Sequence, residues 1–107
     1  QNIEEYYEDE TLLCRYTLRF GKKHGLLQTW RKWKNKPFKK YKEAYYKDGK
    51  LDGMFTRWYE NGCLAERTFR RDGILDGVDQ NYYYNGQIQK EMNHKNGKLD
   101  SKRRLIM

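Results

Sequence analysis

The sequence predicts an all-β fold, an elongated antiparallel β-meander of repeated hairpins, and three observations carry that expectation. Glycine-centred segments recur: Gly49-Lys50-Leu51-Asp52-Gly53 returns 24 residues later as Gly73-Ile74-Leu75-Asp76-Gly77, then as Gly97-Lys98-Leu99-Asp100 with Ser101 in the last glycine place. Asn61-Gly62 and Asn85-Gly86 repeat at the same 24-residue spacing, so each unit holds two turns and two segments of strand length. Aromatic residues keep fixed places within the unit. A period of this size marks an array whose stacked neighbours bury what one unit cannot.

The units follow in order along a chain that reads as a single repeat domain, 1–107. Residues 1–20 are a degenerate copy: Tyr6-Tyr7-Glu8-Asp9 aligns with Trp58-Tyr59-Glu60-Asn61 and Leu12 with Leu64, but Glu10 stands where Gly62 does. Residues 21–48 are a copy with a basic insertion, because Gly21-Lys22-Lys23-His24-Gly25 matches Gly49 to Gly53 at a shift of 28. Here Asn35-Lys36-Pro37-Phe38 replaces Asn-Gly. Proline cannot donate to a sheet ladder, so a longer protruding loop is expected, of the kind that carries recognition on rigid scaffolds. Residues 49–72 and 73–96 are regular copies, and 97–107 is a partial one. Lys23 takes the place of Leu51, Leu75 and Leu99, which predicts a looser first corner.

Asn-Gly favours two-residue type I′ turns, which need positive φ at both central positions. Met54 to Glu60 should therefore pair with Cys63 to Arg70, and Val78 to Tyr84 with Gln87 to His94. The Gly-x-x-x-Gly segments are expected as loops reversing the chain between hairpins, giving about eight strands. Five residues past each second glycine stand Trp30, Trp58 and Tyr82, with Tyr6 in the degenerate copy. Leu26, Met54 and Val78 share their parity, whereas Arg57, Asp79 and Asn81 have the other. The aromatic side is thus the expected buried one. Leu12, Leu64 and Ile88 fill one position of the return strands.

Only 36% of residues are hydrophobic and mean hydropathy is -1.27, a composition near that of disordered chains. The periodic placement of the aromatics, ten of them Tyr, argues instead for a thin folded sheet. Net charge is +8, and residues 1–10 carry five acids and no base, leaving 23 basic against 10 acidic groups, or +13, on the rest. The densest run is Arg31, Lys32, Lys34, Lys36, Lys39, Lys40 and Lys42. With Lys102, Arg103 and Arg104 these are the candidate residues for an anionic partner, and Trp30, Trp33 and Trp58 are the candidate aromatic contacts. Acidic phospholipid and nucleic acid fit such a surface, and a plainly solvated loop is the competing reading.

No apolar run is long enough to cross a bilayer or to form a signal-peptide core, so a soluble, intracellular, cytoplasmic protein is expected, or one within a viral or other large particle. Gln1 rather than Met opens the sequence, which leaves room for a preceding segment. Cys14 and Cys63 have opposite strand parity, and no disulfide between them is expected.

Tyr59-Glu60-Asn61-Gly62-Cys63-Leu64, followed by Phe69-Arg70-Arg71-Asp72-Gly73-Ile74-Leu75-Asp76-Gly77, resembles the MORN repeat family in its variant class. Two good copies between Gly49 and Gly97 carry the resemblance, and degenerate copies extend it over nearly the whole chain. It implies an elongated antiparallel sheet and a role as scaffold, dimerisation or interaction module, in some members with acidic-phospholipid contact. Bacterial members of the variant class often carry an antitoxin label, and large DNA viruses encode many. The family supplies no catalytic residue.

The residues themselves point the same way. His24 and His94 lack paired metal-ligand spacing. Asp52, Asp76 and Asp100 repeat with the unit and read as turn residues bonding nearby amides. No helix follows the glycines to make a phosphate site. No enzyme activity, metal, cofactor or small-molecule substrate is expected. The leading expectation is a structural scaffold docking on other protein chains of a larger assembly. Binding of an anionic surface through the basic loop and an antitoxin-like, toxin-binding role are the alternatives.

Overall fold

The computed structural model describes residues 1–6, 12–32, 37–99 and 104–105. Its strands are β1 (Asn2–Tyr6), β2 (Leu12–Arg19), β3 (Lys22–Lys23), β4 (Gly25–Arg31), β5 (Lys39–Lys47), β6 (Lys50–Trp58), β7 (Leu64–Arg71), β8 (Ile74–Tyr82), β9 (Ile88–Lys95), β10 (Lys98–Leu99) and β11 (Arg104–Leu105). They form one antiparallel sheet in the order β1-β2-β4-β5-β6-β7-β8-β9-β10, with β3 pairing β2 and β11 pairing β9. The expected meander is therefore present, as a slab of 42 × 37 × 15 Å. Among the described residues no helix is long and apolar enough to cross a membrane.

The hairpins pair as expected, with Met54 opposite Phe69 and Val78 opposite Asn93, but the two kinds of turn are exchanged. Asp72 and Gly73 both have positive φ, 52° and 80°, and they join Arg71 directly to its ladder partner Ile74. That is the type I′ geometry, and Asp-Gly supports it as well as Asn-Gly does. At Asn61-Gly62 only the glycine is left-handed, with φ 89°. The Gly62 N–H donates to the Tyr59 carbonyl at 3.0 Å and the Tyr59 N–H to the Cys63 carbonyl at 2.8 Å, making a longer turn that ends in a glycine bulge. Asn61 serves it through its side chain, whose Oδ1 accepts the Cys63 N–H at 2.9 Å.

The two regular Gly-x-x-x-Gly segments are accordingly not loops: everything after the first glycine lies in β6 or β8, whereas in the Gly21–Gly25 copy His24 separates β3 from β4. The second glycine has a steric cause. Gly53, at φ 121°, crosses Tyr45 so closely that a Cβ there would stand 3.1 Å from the Tyr45 Cβ. Gly77 repeats this over Phe69, at 3.3 Å. Each ring stands alone against three residues of the next strand, Tyr45 against 52–54 and Phe69 against 76–78, so the extra residues lie on the glycine's strand. An aromatic residue on one strand and a bulge with a bare backbone at its centre on the next make one joint.

The enclosed side of the sheet is not the expected one. Leu27, Ala44, Phe55, Thr68, Asp79 and Met92 are successive ladder partners from β4 to β9. Leu27, Ala44, Thr68 and Asp79 in that row are buried, as is Thr29 two residues from Leu27. This is the parity of Arg57, Asp79 and Asn81. Trp30, Trp58 and Tyr82 of the aromatic column are only half-buried, and Tyr6 is exposed. The ladder shifts register beside these three rings, but the extra residues, Tyr41, Ala65 and Gln89, lie on the partner strands, so nothing interrupts β4, β6 or β8 between Leu26, Met54 or Val78 and the rings.

Neighbouring units are tied at their turns. Asp52 Oδ1 accepts the Asp72 N–H and Asp76 Oδ1 the Asn96 N–H, each at 3.1 Å, so these carboxylates cap the following unit's turn rather than their own. The N–H groups of Gly49, Gly73 and Gly97 donate to the carbonyls of Lys23, Leu51 and Leu75 at 2.9, 2.6 and 2.8 Å. The first corner keeps the backbone bond through Lys23, while His24 stands in the place of the capping Asp52 and Asp76. Lys23 itself is held by rings. Its ammonium lies 5.3 Å from the Tyr16 ring centre and 5.4 Å from that of Tyr46, and its aliphatic stem takes the place of leucine. Cys14 and Cys63 are free thiols, the first on β2 and the second in the β6–β7 turn. Glu10, Asn35, Lys36, Asp100 and Ser101 lie outside the described residues.

Candidate functional site

The described part of the basic run lies at one end of the sheet, where β4 ends, β5 begins and the Asn-Gly turns are found. Arg31 closes β4, Lys32 follows it, and Lys39, Lys40 and Lys42 open β5. Strand β6 ends there at Trp58, followed by Tyr59 and Glu60, and β8 leads to Tyr84. Between them lies a cleft of about 250 Å³ lined by Arg31, Lys39, Lys40, Tyr41, Arg57, Trp58, Tyr59, Glu60 and Tyr84.

Cations and rings are interleaved within it. The Arg31 guanidinium lies over the Tyr41 ring at 4.2 Å, and the Lys40 ammonium stands 5.7 Å from the Trp58 ring centre. The Tyr59 and Tyr84 rings lie 5.3 Å apart, inclined at 44°. The turns hold them in place: Tyr59 donates its hydroxyl to the Tyr82 carbonyl at 2.7 Å, and Asn61 Nδ2 donates to the Tyr84 carbonyl at 2.7 Å. The Tyr84 hydroxyl donates to Glu60 Oε1 at 3.3 Å. Partial desolvation and the Glu60 charge push the Tyr84 phenol above its ordinary value.

Carboxylates hold two of the four cations from behind. Lys40 pairs with Glu43 at 3.0 Å and Arg57 with Glu66 at 3.4 Å. Burial works against ionisation of Glu43, but hydrogen bonds from Gln28 and Lys40 outweigh it and leave its carboxyl below the ordinary value. Lys39 Nζ donates to the Glu60 carbonyl at 3.4 Å, a long bond on an exposed side chain.

The structure thus brings together Arg31, Lys39, Lys40 and Trp58 of the residues singled out from sequence. Lys42 pairs across the ladder with Arg57 beside the cleft. Lys32 is turned to Phe38, its ammonium 5.7 Å from that ring centre. Trp30 is not part of the cleft, and its ring is covered by the Arg15 guanidinium at 5.2 Å. Trp33, Lys34, Lys36, Lys102 and Arg103 lie outside the described residues. Arg104 is on β11, at the far edge of β9, with β6, β7, β8 and β9 between that strand and β5. At about 4.8 Å per strand these are not one basic patch. Sequence reading missed Tyr41, Arg57, Tyr59, Glu60 and Tyr84; the aromatic pairs before each Asn-Gly, Trp58-Tyr59 and Tyr83-Tyr84, were the available signal.

A second polar pair sits in the core row. Asp79 Oδ2 and His94 Nε2 are 3.1 Å apart, each side chain about 12% exposed. Asp79 stands where Leu27 and Phe55 stand in earlier units. Among the described residues no group of three His, Cys, Asp or Glu is arranged to hold a metal ion. No protein-family profile matches the chain, and no curated protein or solved structure does.

Proposed function

We propose that this chain is a non-enzymatic scaffold of MORN-like repeats that docks on other protein chains of a larger assembly. The observation that carries the reading is how little the sheet encloses. Among the described residues the buried hydrophobic side chains are Leu27, Ala44 and Ala65, while Phe20 is 90% exposed and Ile74 50%. A single layer with two open faces and two edge strands gains most of its further burial from partners. Asp52 and Asp76, two of the repeating aspartates, which an enzyme would need free, are engaged on backbone amides. Cross-linking and size-exclusion of the protein from its native source should yield a complex with other chains. A strictly monomeric protein with nothing attached would refute it.

The cleft at the hairpin ends favours a second reading, an anion-binding surface. It places Arg31, Lys39, Lys40 and Arg57 around one concavity. Retention on phosphate-bearing matrices at low salt, lost on Lys39→Glu, tests it.

A further inference from the structure

Resting on the second reading above, we infer that the cleft takes one nucleotide unit of a single-stranded nucleic acid, its base against Trp58 and the Tyr59–Tyr84 pair and its phosphate against Lys39. Size is the first argument. At about 250 Å³ the space falls just below that of pockets for drug-sized ligands, which suits a base and its sugar. The lining is the second. Four of its nine residues are aromatic, and ring faces contribute strongly to binding of unpaired bases, whereas in a duplex those faces are hidden.

Charge gives the third argument, because it is tempered. Glu43 and Glu66 partly neutralise Lys40 and Arg57, and Glu60 stands in the cleft itself. A membrane surface offers this site phosphates and ammonium groups in a plane, but no planar ring to lie against the aromatic faces. A nucleobase brings amino and imino N–H donors, for which a carboxylate is the fitting acceptor. The site therefore favours a ligand that is anionic at one end and a planar donor at the other. Ring contacts supply most of the binding, and few phosphates are neutralised.

The experiment is fluorescence anisotropy of a labelled single-stranded oligonucleotide, alongside a duplex of the same sequence and sedimentation with phosphatidylserine-containing vesicles. Trp58→Leu and Tyr84→Ala should each weaken oligonucleotide binding about tenfold or more. Lys39→Glu should weaken it and flatten the salt slope by about 0.7. Lys50→Glu, at the opposite end of β6, should change nothing. Tyr84 is half-exposed, so its variant keeps the test valid if Trp58→Leu fails a thermal-melt check of folding. Equal affinity for duplex, or binding indifferent to both ring variants, overturns the nucleotide assignment. Vesicle retention lost on Lys39→Glu without oligonucleotide binding overturns it while leaving the anion reading intact. Failure of all three probes overturns both.

Discussion

Gly53→Ala tests the joint between the Tyr45 ring and the bulged, bare backbone that crosses it. At φ 121° an L-residue sits in a region left almost wholly to glycine, a strain of about 1–3 kcal/mol. The new methyl would also stand 3.1 Å from the Tyr45 Cβ, too close for ordinary contact, and overpacking of this kind adds about 1 kcal/mol or more. A total loss of about 2–4 kcal/mol follows, a large part of the stability of a domain of this size. Gly25 holds the same place in the motif, but Thr17 replaces the aromatic and no atom lies within 4 Å of its added Cβ. Gly25→Ala should therefore lose only the backbone part, about 1–2 kcal/mol. Urea unfolding followed by tryptophan fluorescence measures both, with the m-value required to stay constant. Equal losses at the two glycines would show that the ring crossing does not explain the second glycine.

Asp76→Ala should cost about 1 kcal/mol and specifically speed hydrogen exchange at the Asn96 amide it caps, which amide NMR reads directly. Asp79→Ala, leaving His94 enclosed without its partner, should destabilise by about 2 kcal/mol, whereas Asp79→Leu with His94→Tyr, after Leu27 and Tyr46 of the 21–48 unit, should come close to wild-type in the same urea assay. Glu43 is held below its ordinary value of 4.5, so it binds its proton less readily folded than unfolded. Its contribution is present above that value and fades as pH falls through the folded one. The stability gap between wild-type and Glu43→Gln should accordingly be open at neutral pH and close in acid.

Hairpin partners, antiparallel order and the eight longer strands were legible because turn residues and periodicity are local signals, whereas the two-residue strands β3, β10 and β11 were not expected. Burial was not legible, because alternation separates the two faces of a strand without saying which is covered. The covered row is set across the strands, by ladder partners from Leu27 to Met92 that include Thr68 and Asp79, which no apolar pattern marks. Turn type was half legible: Asp-Gly and Asn-Gly are near equivalents in isolation, and the ladder decides which closes in two residues. The cleft was visible as charge but not as a concavity. Its walls come from units 24 residues apart, Tyr59-Glu60 and Tyr84, which adjacent hairpins align at one end. The role of Asp52 was recognised as structural, but its partner 20 residues on is a property of stacking that no single unit displays.

The ties between turns also have a direction in time. In every backbone link of the series the acceptor belongs to the earlier unit: Lys23 for Gly49, Leu51 for Gly73, Leu75 for Gly97. The capping carboxylates Asp52 and Asp76 likewise precede the amides they serve. A chain leaving the ribosome amino end first would find the template for each new turn already laid down. Each unit can then be added to a finished surface, without waiting for sequence not yet made.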